Sequence, residues 1–258
     1  MLEKMVNYYL APNLPQDKHA FFGRNGGVSE GIYASLNFNW RSEDKPENIE
    51  KNLELIGKFY GLPGSSVMRP KQGHTNIAVY VDCPSRYQIE ADGVVTDRPD
   101  IVLGITTADC MPVLLADEKN GVIGAAHAGW RGALTGIIEN TIGVMVEKGA
   151  KIENIAVAAG PCLQKESFEV RNDMRDQFIQ QDKANGQFFI PCGYDRWLCD
   201  LEAYVWYRLN LLGIKNTSFS GIDTYTNPEL YFSYRRCCHQ GLIRQHADFP
   251  IQLSTIRR

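Results

Sequence analysis

Hydrophobic positions along the chain follow two different periods, one helical and one extended. Apolar residues recur every three or four positions in PENIEKNLELIGKFY, which predicts a helix over 46–60 that Gly61 ends. The same spacing in GALTGIIENTIGVMVEKG predicts an amphipathic helix over 132–148. Further helices are predicted near 166–183 and near 199–212.

Short apolar runs bounded by turn-forming residues predict the strands. These runs cover 94–95, 101–107, 112–116, 121–127, 155–159 and 217–222. Because strands and helices are interspersed, we predict an α/β (α+β) fold built on a mixed β-sheet with flanking helices. No linker-like segment interrupts the pattern, so we expect residues 1–258 to form a single domain.

Composition and charge narrow the kinds of partner. The chain is 44% hydrophobic and 22% charged, which is typical of a globular protein with a sizeable core. Its formal net charge is −3 and no block of like charge stands out, so the electrostatic pattern of a nucleic-acid-binding protein is absent. We therefore expect a small-molecule partner and no nucleic acid. We also expect a monomeric protein.

The N-terminal segment and the cysteines indicate where the protein works. The N-terminal segment lacks the apolar core of a signal peptide, and no apolar run is long enough to span a membrane. The chain has 7 cysteines, an odd number in a long sequence, so a disulfide framework explains them poorly. We expect reduced thiols, no membrane association and a cytoplasmic location.

Two histidines and one cysteine occupy unusual positions in the pattern. His74 lies among turn-forming residues in KQGHTN, Cys110 ends the apolar run GITTADC, and His127 ends the apolar run GVIGAAH. A hairpin between the last two runs would bring their ends to one edge of a sheet. Two imidazoles and a thiolate suit zinc or copper, and three protein ligands leave a fourth position open. Asp92 and Asp109 are candidates for a general base or for a carboxylate that orients a ligand.

The residues alone leave two interpretations of this set open. A cysteine after an apolar strand is most often a core thiol, and a histidine at a strand end is most often hydrogen-bonded within the core. The long separations between the three positions match no short metal-binding motif, so spacing alone does not decide between a metal site and core packing.

Longer segments around these residues resemble a known protein family. TTADCMPVLLAD (106–117) and AAHAGWRGALTGI (125–137) are similar to the signature of the laccase-domain family, first described as multicopper polyphenol oxidases. Bacterial members are now described as purine nucleoside phosphorylases. Further similar segments, in the same order, are GRNGGVSEGIYASLN (23–37), KQGHTN (71–76), ADGVVTD (91–97), GPCLQKESFEV (160–170), DTYTN (223–227) and FSYRR (232–236).

The resemblance implies a ligand set and an activity. The family's metal ligands fall on His74, Cys110 and His127, with zinc as the implied cofactor and copper as the alternative. The implied reaction is phosphorolysis of adenosine, inosine and methylthioadenosine, with metal-dependent deamination of adenosine as a second activity. This chain departs from the family at QGHT (72–75), where Gln-Val-His-Gly is usual, and at CCHQG (237–241), where an acidic residue and Thr-Gly-Arg are usual.

Phosphorolysis needs cationic donors that hold phosphate near the sugar and a surface on which the base can stack. The candidates for substrate and phosphate binding are Arg24, Asn37, Arg131, Tyr234 and Arg235. A structural alternative exists for several of them: bracing a turn for Arg24, a local ion pair for Arg131, and packing within a strand for the aromatic residues of YFSYRR.

Other functions remain open at this point. A copper-dependent polyphenol oxidase would use the same three ligands, with Met111 as an axial ligand, although 5 histidines are too few for a trinuclear copper cluster as well. A non-catalytic binding module stabilised by a metal is disfavoured by the open fourth position, since structural zinc sites are normally closed. A second metal site at CCH (237–239) is disfavoured because adjacent cysteines are poorly placed for one ion.

Overall fold

The computed structural model describes residues 6–84, 86–243 and 247–258. Its helices are α1 Pro46–Phe59, α2 Trp130–Thr135, α3 Ile137–Glu147, α4 Asn172–Gln181, α5 Leu201–Leu211 and α6 Tyr234–His239. Its strands are β1 Tyr8–Tyr9, β2 His19–Phe22, β3 Val67–Lys71, β4 Ala78–Tyr80, β5 Arg86–Glu90, β6 Gly93–Thr96, β7 Val102–Thr107, β8 Met111–Asp117, β9 Val122–Ala128, β10 Ala156–Ala159, β11 Glu169–Arg171, β12 Phe189–Gly193, β13 Arg196–Cys199, β14 Asn216–Phe219 and β15 Gln252–Arg257. In the described ranges, every helix is too short or too polar to cross a membrane.

The strands are divided between two six-stranded sheets and one three-stranded sheet. The first sheet has the order β1-β2-β15-β7-β3-β5, in which β7 is antiparallel to β15 and parallel to β3. The second has the order β14-β10-β8-β9-β6-β4, in which β8 is antiparallel to β9 and β10 is parallel to β14. The small sheet has the order β11-β13-β12. The predicted mixed α/β class is confirmed, and the mixed strands form separate sheets instead of one.

The two large sheets pack face to face. Because successive side chains of a strand point to opposite faces, β8 contributes to two different buried clusters. Leu114 shares a cluster with Leu103 and Ile105 of the first sheet. Its neighbour Leu115 lies in a different cluster, together with Ile138 of α3. The second sheet is therefore buried on both faces.

Helices cover the outer faces of the large sheets. The apolar positions Ile49, Leu53 and Ile56 of α1 share a buried cluster with Val67 and Val102 of the first sheet. The helices α2 to α5 lie in the cluster on the outer face of the second sheet. Burial of each large aliphatic side chain contributes about 1.5–3 kcal/mol, so these amphipathic faces fix the order of layers.

Two predicted helices differ from the observed ones. The predicted helix over 132–148 is divided into α2 and α3, because Gly136 adopts the left-handed conformation with φ of 97°. The predicted helix near 166–183 begins only at Asn172, since the residues before it form a 3-10 turn and then pair with β13. The other predicted helices and strands are observed to within a few residues of their predicted bounds.

Strand register gathers three chain segments at one edge of the second sheet. The β8–β9 hairpin places Met111 opposite Ala128, and β6 places Gly93 opposite Ala126. The residues just before β8, at the end of β9 and just before β6 are consequently close together.

Candidate metal centre

His74, Cys110 and His127 converge at this edge. The three donor atoms all lie within 4.8 Å of one another, and the Cys110 sulfur is 3.8 Å from Nε2 of His74. Two ligands of one tetrahedral zinc ion are about 3.5 Å apart, given bond lengths of about 2.0–2.3 Å. His127 is buried, Cys110 is partly buried and His74 is exposed. The group of three side chains therefore extends from the core, at His127, to the protein surface, at His74.

Unusual backbone conformations present two of these side chains. His74 has a φ of 60°, and Asp109, immediately before Cys110, has a φ of 88°. Residues other than glycine rarely adopt such angles, which cost about 1–3 kcal/mol. Surrounding contacts must hold both turns in place.

The Asp92 carboxylate makes these contacts for the first turn. One oxygen accepts hydrogen bonds from Nδ1 of His127 at 2.7 Å and from the His74 amide at 3.1 Å. The other accepts from the Gly73 amide at 3.1 Å and from the amide and hydroxyl of Thr75, each at 2.7 Å. Asp92 is fully buried, and its contacts fix the His127 ring and the backbone of the turn that carries His74.

Charges in the group favour the forms that bind a metal. Burial alone would raise the pKa of the Cys110 thiol, but the imidazoles of His127 and His74 hold it below its ordinary value. Burial also opposes ionisation of Asp92, but the hydrogen bonds from His127 and Thr75 hold the pKa of Asp92 well below its usual range. Against burial, Cys110 and Asp92 raise the pKa of His127, so a metal would displace a proton from that ring.

Gly129 leaves space at the centre of the group. A Cβ atom at this position would lie 3.0 Å from the Cys110 sulfur, 3.1 Å from Cδ2 of His74 and 3.7 Å from Nε2 of His127. The backbone of Gly129 has a φ of −65°, which any residue can adopt. Space, and not backbone freedom, therefore explains the glycine, and the three donors have room for an ion between them.

A cavity of about 660 Å³ opens onto His74 and Cys110. Its apolar wall is formed by Trp130, Leu163, Phe168, Leu201 and Phe249. Its polar groups come from Asp109, Arg131, Tyr234, Arg235, Cys238 and His239. A mainly apolar wall with a few polar groups, in a cavity of this size, is typical of a small-molecule site.

Asp109 supplies a carboxyl group to this cavity and directly precedes Cys110 in the sequence. It accepts hydrogen bonds from the Thr224 hydroxyl and from the Arg235 amide, both at 2.7 Å. Burial raises the pKa of Asp109, and these donors only partly oppose the effect. A carboxyl group of this kind can carry a proton closer to neutral pH than an exposed one.

Three of the predicted substrate-binding residues line the cavity. The guanidinium of Arg131 lies 4.2 Å from the centre of the Trp130 ring and makes no ion pair with the described residues. The Tyr234 ring packs against Phe249 with centroids 4.7 Å apart. Arg235 donates to the carbonyl oxygen of Glu169 at 2.7 Å.

The other two predicted substrate-binding residues lie outside the cavity that opens onto His74 and Cys110. Arg24 donates to the carbonyl oxygens of Ala34 and Pro228, each at 2.8 Å, which corresponds to the turn-bracing alternative. Asn37 is fully buried and donates to Asp44 at 2.9 Å. Their polar groups are therefore occupied by the chain itself.

The YFSYRR segment is not the strand that its aromatic residues predicted. Tyr231 and Phe232 are buried ahead of α6, and Ser233 begins that helix by accepting a hydrogen bond from the Arg236 amide. Because this turn places Tyr234 in the helix, its ring lies in the cavity wall while the preceding two rings pack inside. The capping serine outweighs the strand preference of the aromatic residues.

Met111 and the cysteine pair of α6 do not join the three candidate ligands. Met111 points away from the edge into the cluster beneath the helices, as expected for the residue after Cys110 in a strand. Cys237 is buried whereas Cys238 is exposed. Among the described residues, His74, Cys110 and His127 are the one group of three such side chains whose donor atoms converge.

Comparison with known proteins shows the family to which the chain belongs. Residues 18–245 match the sequence profile of a family described as multi-copper polyphenol oxidoreductase laccase. The chain belongs to this family. The match to the laccase family includes all three candidate metal ligands and the residues of the large cavity up to His239.

Two relatives described as purine nucleoside phosphorylases are similar to this chain over most of its length. Purine nucleoside phosphorylase of Deinococcus radiodurans is 43% identical over 234 residues, which cover 88% of this chain and 86% of that protein. Purine nucleoside phosphorylase YfiH of Escherichia coli (strain K12) is 32% identical over 230 residues, covering 88% and 93%. Neisseria meningitidis protein NMB0706, a solved structure, superposes with a TM-score of 0.82 at 29% identity, covering 99% of this chain and 98% of that one.

Sequence reasoning missed some residues that shape the site. Gly129 lies in the matched AHAGWRG segment, but only the fold shows that its missing side chain makes room between the donors. Thr224 lies in the matched DTYTN segment, and its contact with Asp109 spans 115 residues of sequence. Neither role has a local sequence signal, because both depend on how distant segments meet.

Proposed function

We propose that the protein is a purine nucleoside phosphorylase. The observation that carries the proposal is a largely apolar cavity of about 660 Å³ with His74 and Cys110 in its wall. It occurs in a chain that is 43% identical to a protein named purine nucleoside phosphorylase. Aromatic and aliphatic side chains suit a purine ring, and the guanidinium groups of Arg131 and Arg235 can donate hydrogen bonds to the nucleoside.

The reaction places two demands on the cavity. The bond between the base nitrogen and C1′ of the sugar breaks while a phosphate oxygen bonds to C1′, so positive charge develops on the sugar and negative charge on the base. Asp109 can offset the negative charge that develops on the base, because its buried carboxyl group can hold a proton that passes to the departing base. Thr224 and the Arg235 amide hold that carboxyl group in position.

The donor set fits zinc, with copper as the alternative. Three converging donors and the space left by Gly129 support this assignment. When bound, the ion supplies a Lewis acid, which suits deamination of adenosine as a second activity. The chain's part is to hold the ligands, with Asp92 orienting His127 by a hydrogen bond of 2.7 Å.

The proposed substrates are adenosine, inosine and methylthioadenosine, and the proposed setting is a monomer in the cytoplasm. The test is incubation of the purified protein with inosine, with and without inorganic phosphate, followed by chromatography. We expect hypoxanthine and ribose 1-phosphate only when phosphate is present. The His127→Ala variant should lose about 100-fold or more of this activity, and of ammonia release from adenosine, while its circular dichroism is unchanged. Hypoxanthine release that does not depend on phosphate would contradict the proposal.

A second candidate function is oxidation of phenols by a copper-loaded protein. The description of the matched family favours it. Oxygen uptake with a phenol, together with an intense visible absorption on copper loading, would support oxidase chemistry. If the zinc-loaded protein carries out phosphorolysis and the copper-loaded protein oxidises no phenol, the phosphorylase proposal stands and the oxidase proposal is excluded.

A further inference from the structure

A second, smaller cavity also reaches the candidate metal ligands. Its volume is about 130 Å³, and its wall includes His74, Cys110 and His127 together with Arg69 and Thr107. Since His74 and Cys110 border both cavities, the smaller one lies directly beside the proposed nucleoside cavity.

Arg69 is a buried cation that the protein does not neutralise. It is 1% exposed, and its Nη1 donates to the carbonyl oxygen of Phe38 at 2.9 Å. Its Nε and Nη2 atoms have no hydrogen-bond partner among the described residues. Burial lowers the pKa of Arg69 to about 9, so the side chain is still charged at neutral pH. Buried charges are normally paired, because an unpaired one is costly.

Unpartnered polar atoms are concentrated at this cavity. In the described part of the chain, eight buried side-chain nitrogen or oxygen atoms lack a hydrogen-bond partner. Four of the eight belong to Arg69, Tyr87 and Thr107, which all line the smaller cavity. Buried polar groups are hydrogen-bonded in the large majority of cases, so such a concentration indicates a ligand that accepts hydrogen bonds.

The charges at the cavity favour an anion. Its described lining contains the cations Arg69 and Arg41 and no aspartate or glutamate. The carboxylate that acts on Arg69 from a distance is Glu50, which already forms an ion pair with Arg86 at 2.6 Å. The positive charge of Arg69 is therefore available to a bound molecule.

The guanidinium of Arg69 is also held in place. Its central carbon lies 4.7 Å from the centre of the Tyr87 ring and 5.9 Å from that of Phe38. Trp40 packs on the Tyr87 ring with centroids 4.4 Å apart. A donor fixed before binding loses little conformational entropy when an anion arrives.

We propose that Arg69, Tyr87 and Thr107 form a binding site for inorganic phosphate. The free N–H groups and the two hydroxyls can donate to the oxygens of a tetrahedral oxyanion. A cavity of about 130 Å³ has room for this group of five heavy atoms, since one water molecule occupies about 30 Å³ of liquid. The inference rests on the proposed function, because phosphate bound here lies beside His74 and Cys110 and next to the nucleoside.

The test is calorimetric titration of inorganic phosphate into the metal-loaded protein. Arg69→Met keeps much of the side-chain volume and should raise the Kd for phosphate by about 10- to 100-fold. Thr107→Val removes one unpartnered hydroxyl and should raise it by about 2- to 10-fold. The control is Arg175→Met, which removes an arginine that lies 4.1 Å from the Trp197 ring, away from both cavities, and should leave the Kd unchanged.

Thermal denaturation separates a binding role from a structural one. Without phosphate, Arg69→Met should melt at or above the temperature of the wild type, because it removes an unpaired buried charge. Phosphate should raise the Tm of the wild type and not that of the variant. A variant that melts lower and binds phosphate with an unchanged Kd would overturn the inference. Should Arg69→Met fail to fold, an unchanged Kd in Thr107→Val overturns it.

Two further arms separate this site from the alternatives. Adenosine 5′-monophosphate tests whether the phosphate group of a nucleotide is the ligand, and tight binding of it without binding of free phosphate would overturn the inference. An unchanged KM for phosphate in Arg69→Met during inosine phosphorolysis would overturn the site and leave the proposed function standing. If phosphate binds through Arg69 but no nucleoside is cleaved, the site stands and the proposed function is overturned.

Discussion

At the scale of single residues, the candidate metal centre combines groups that the sequence reveals with groups that it hides. Residue type and family resemblance were enough to select His74, Cys110 and His127, which the structure brings together. The role of Gly129 was hidden, because empty space between distant side chains has no sequence pattern. Arg69 was hidden for a similar reason, since only the fold shows which partners a buried arginine lacks.

Gly129→Ala tests the space at the centre of the group. The added methyl would lie 3.0 Å from the Cys110 sulfur and 3.1 Å from Cδ2 of His74, so ligands and ion must move apart. We expect the affinity for zinc to fall by about 10- to 100-fold, the range found when groups around a metal site are changed. Competition with a chromogenic chelator measures this affinity.

Gly143→Ala is the matched control. An added Cβ at this position meets nothing within 4 Å, and the residue lies inside α3. Zinc affinity should be unchanged, while the free energy of unfolding should rise by about 0.5–1 kcal/mol, because alanine is the better helix former. Equal zinc affinities in Gly129→Ala and Gly143→Ala would show that the space is not needed.

At the scale of elements, hydrophobic periodicity predicted the presence of a helix better than it predicted whether that helix is continuous. The amphipathic pattern over 132–148 is real, and it spans two helices, because a left-handed glycine changes direction without disturbing the apolar spacing on either side. The YFSYRR segment shows the opposite case, in which one capping serine decides between strand and helix. In each segment one residue determines the backbone conformation, and a hydrophobic pattern does not show the effect of a single residue.

Gly136→Ala tests the break between α2 and α3. Its φ of 97° is unfavourable for alanine, and an added Cβ meets only Glu139, at 3.5 Å. The expected result is a loss of about 1–2 kcal/mol in the free energy of unfolding, due to backbone strain alone. Urea denaturation measures it. A variant as stable as the wild type would mean that the segment can join into one continuous helix.

At the scale of the whole molecule, the site depends on strand pairings that local patterns do not contain. The C-terminal β15 lies between β2 and β7, and the β8–β9 hairpin belongs to the other large sheet. Fold class followed from the alternation of strands and helices, but the division into two sheets follows from these long-range pairings. The two cavities that border His74 and Cys110 are a result of that division, as β3 and β7 line one and α6 lines the other.

Metal content measured beside phosphorolysis tests the central claim most directly. Elemental analysis of the purified wild type should find about one zinc or copper ion per chain, and Cys110→Ala should lose both the ion and phosphate-dependent hypoxanthine release from inosine. A Cys110→Ala protein that contains no metal and still cleaves inosine at the wild-type rate would contradict the account.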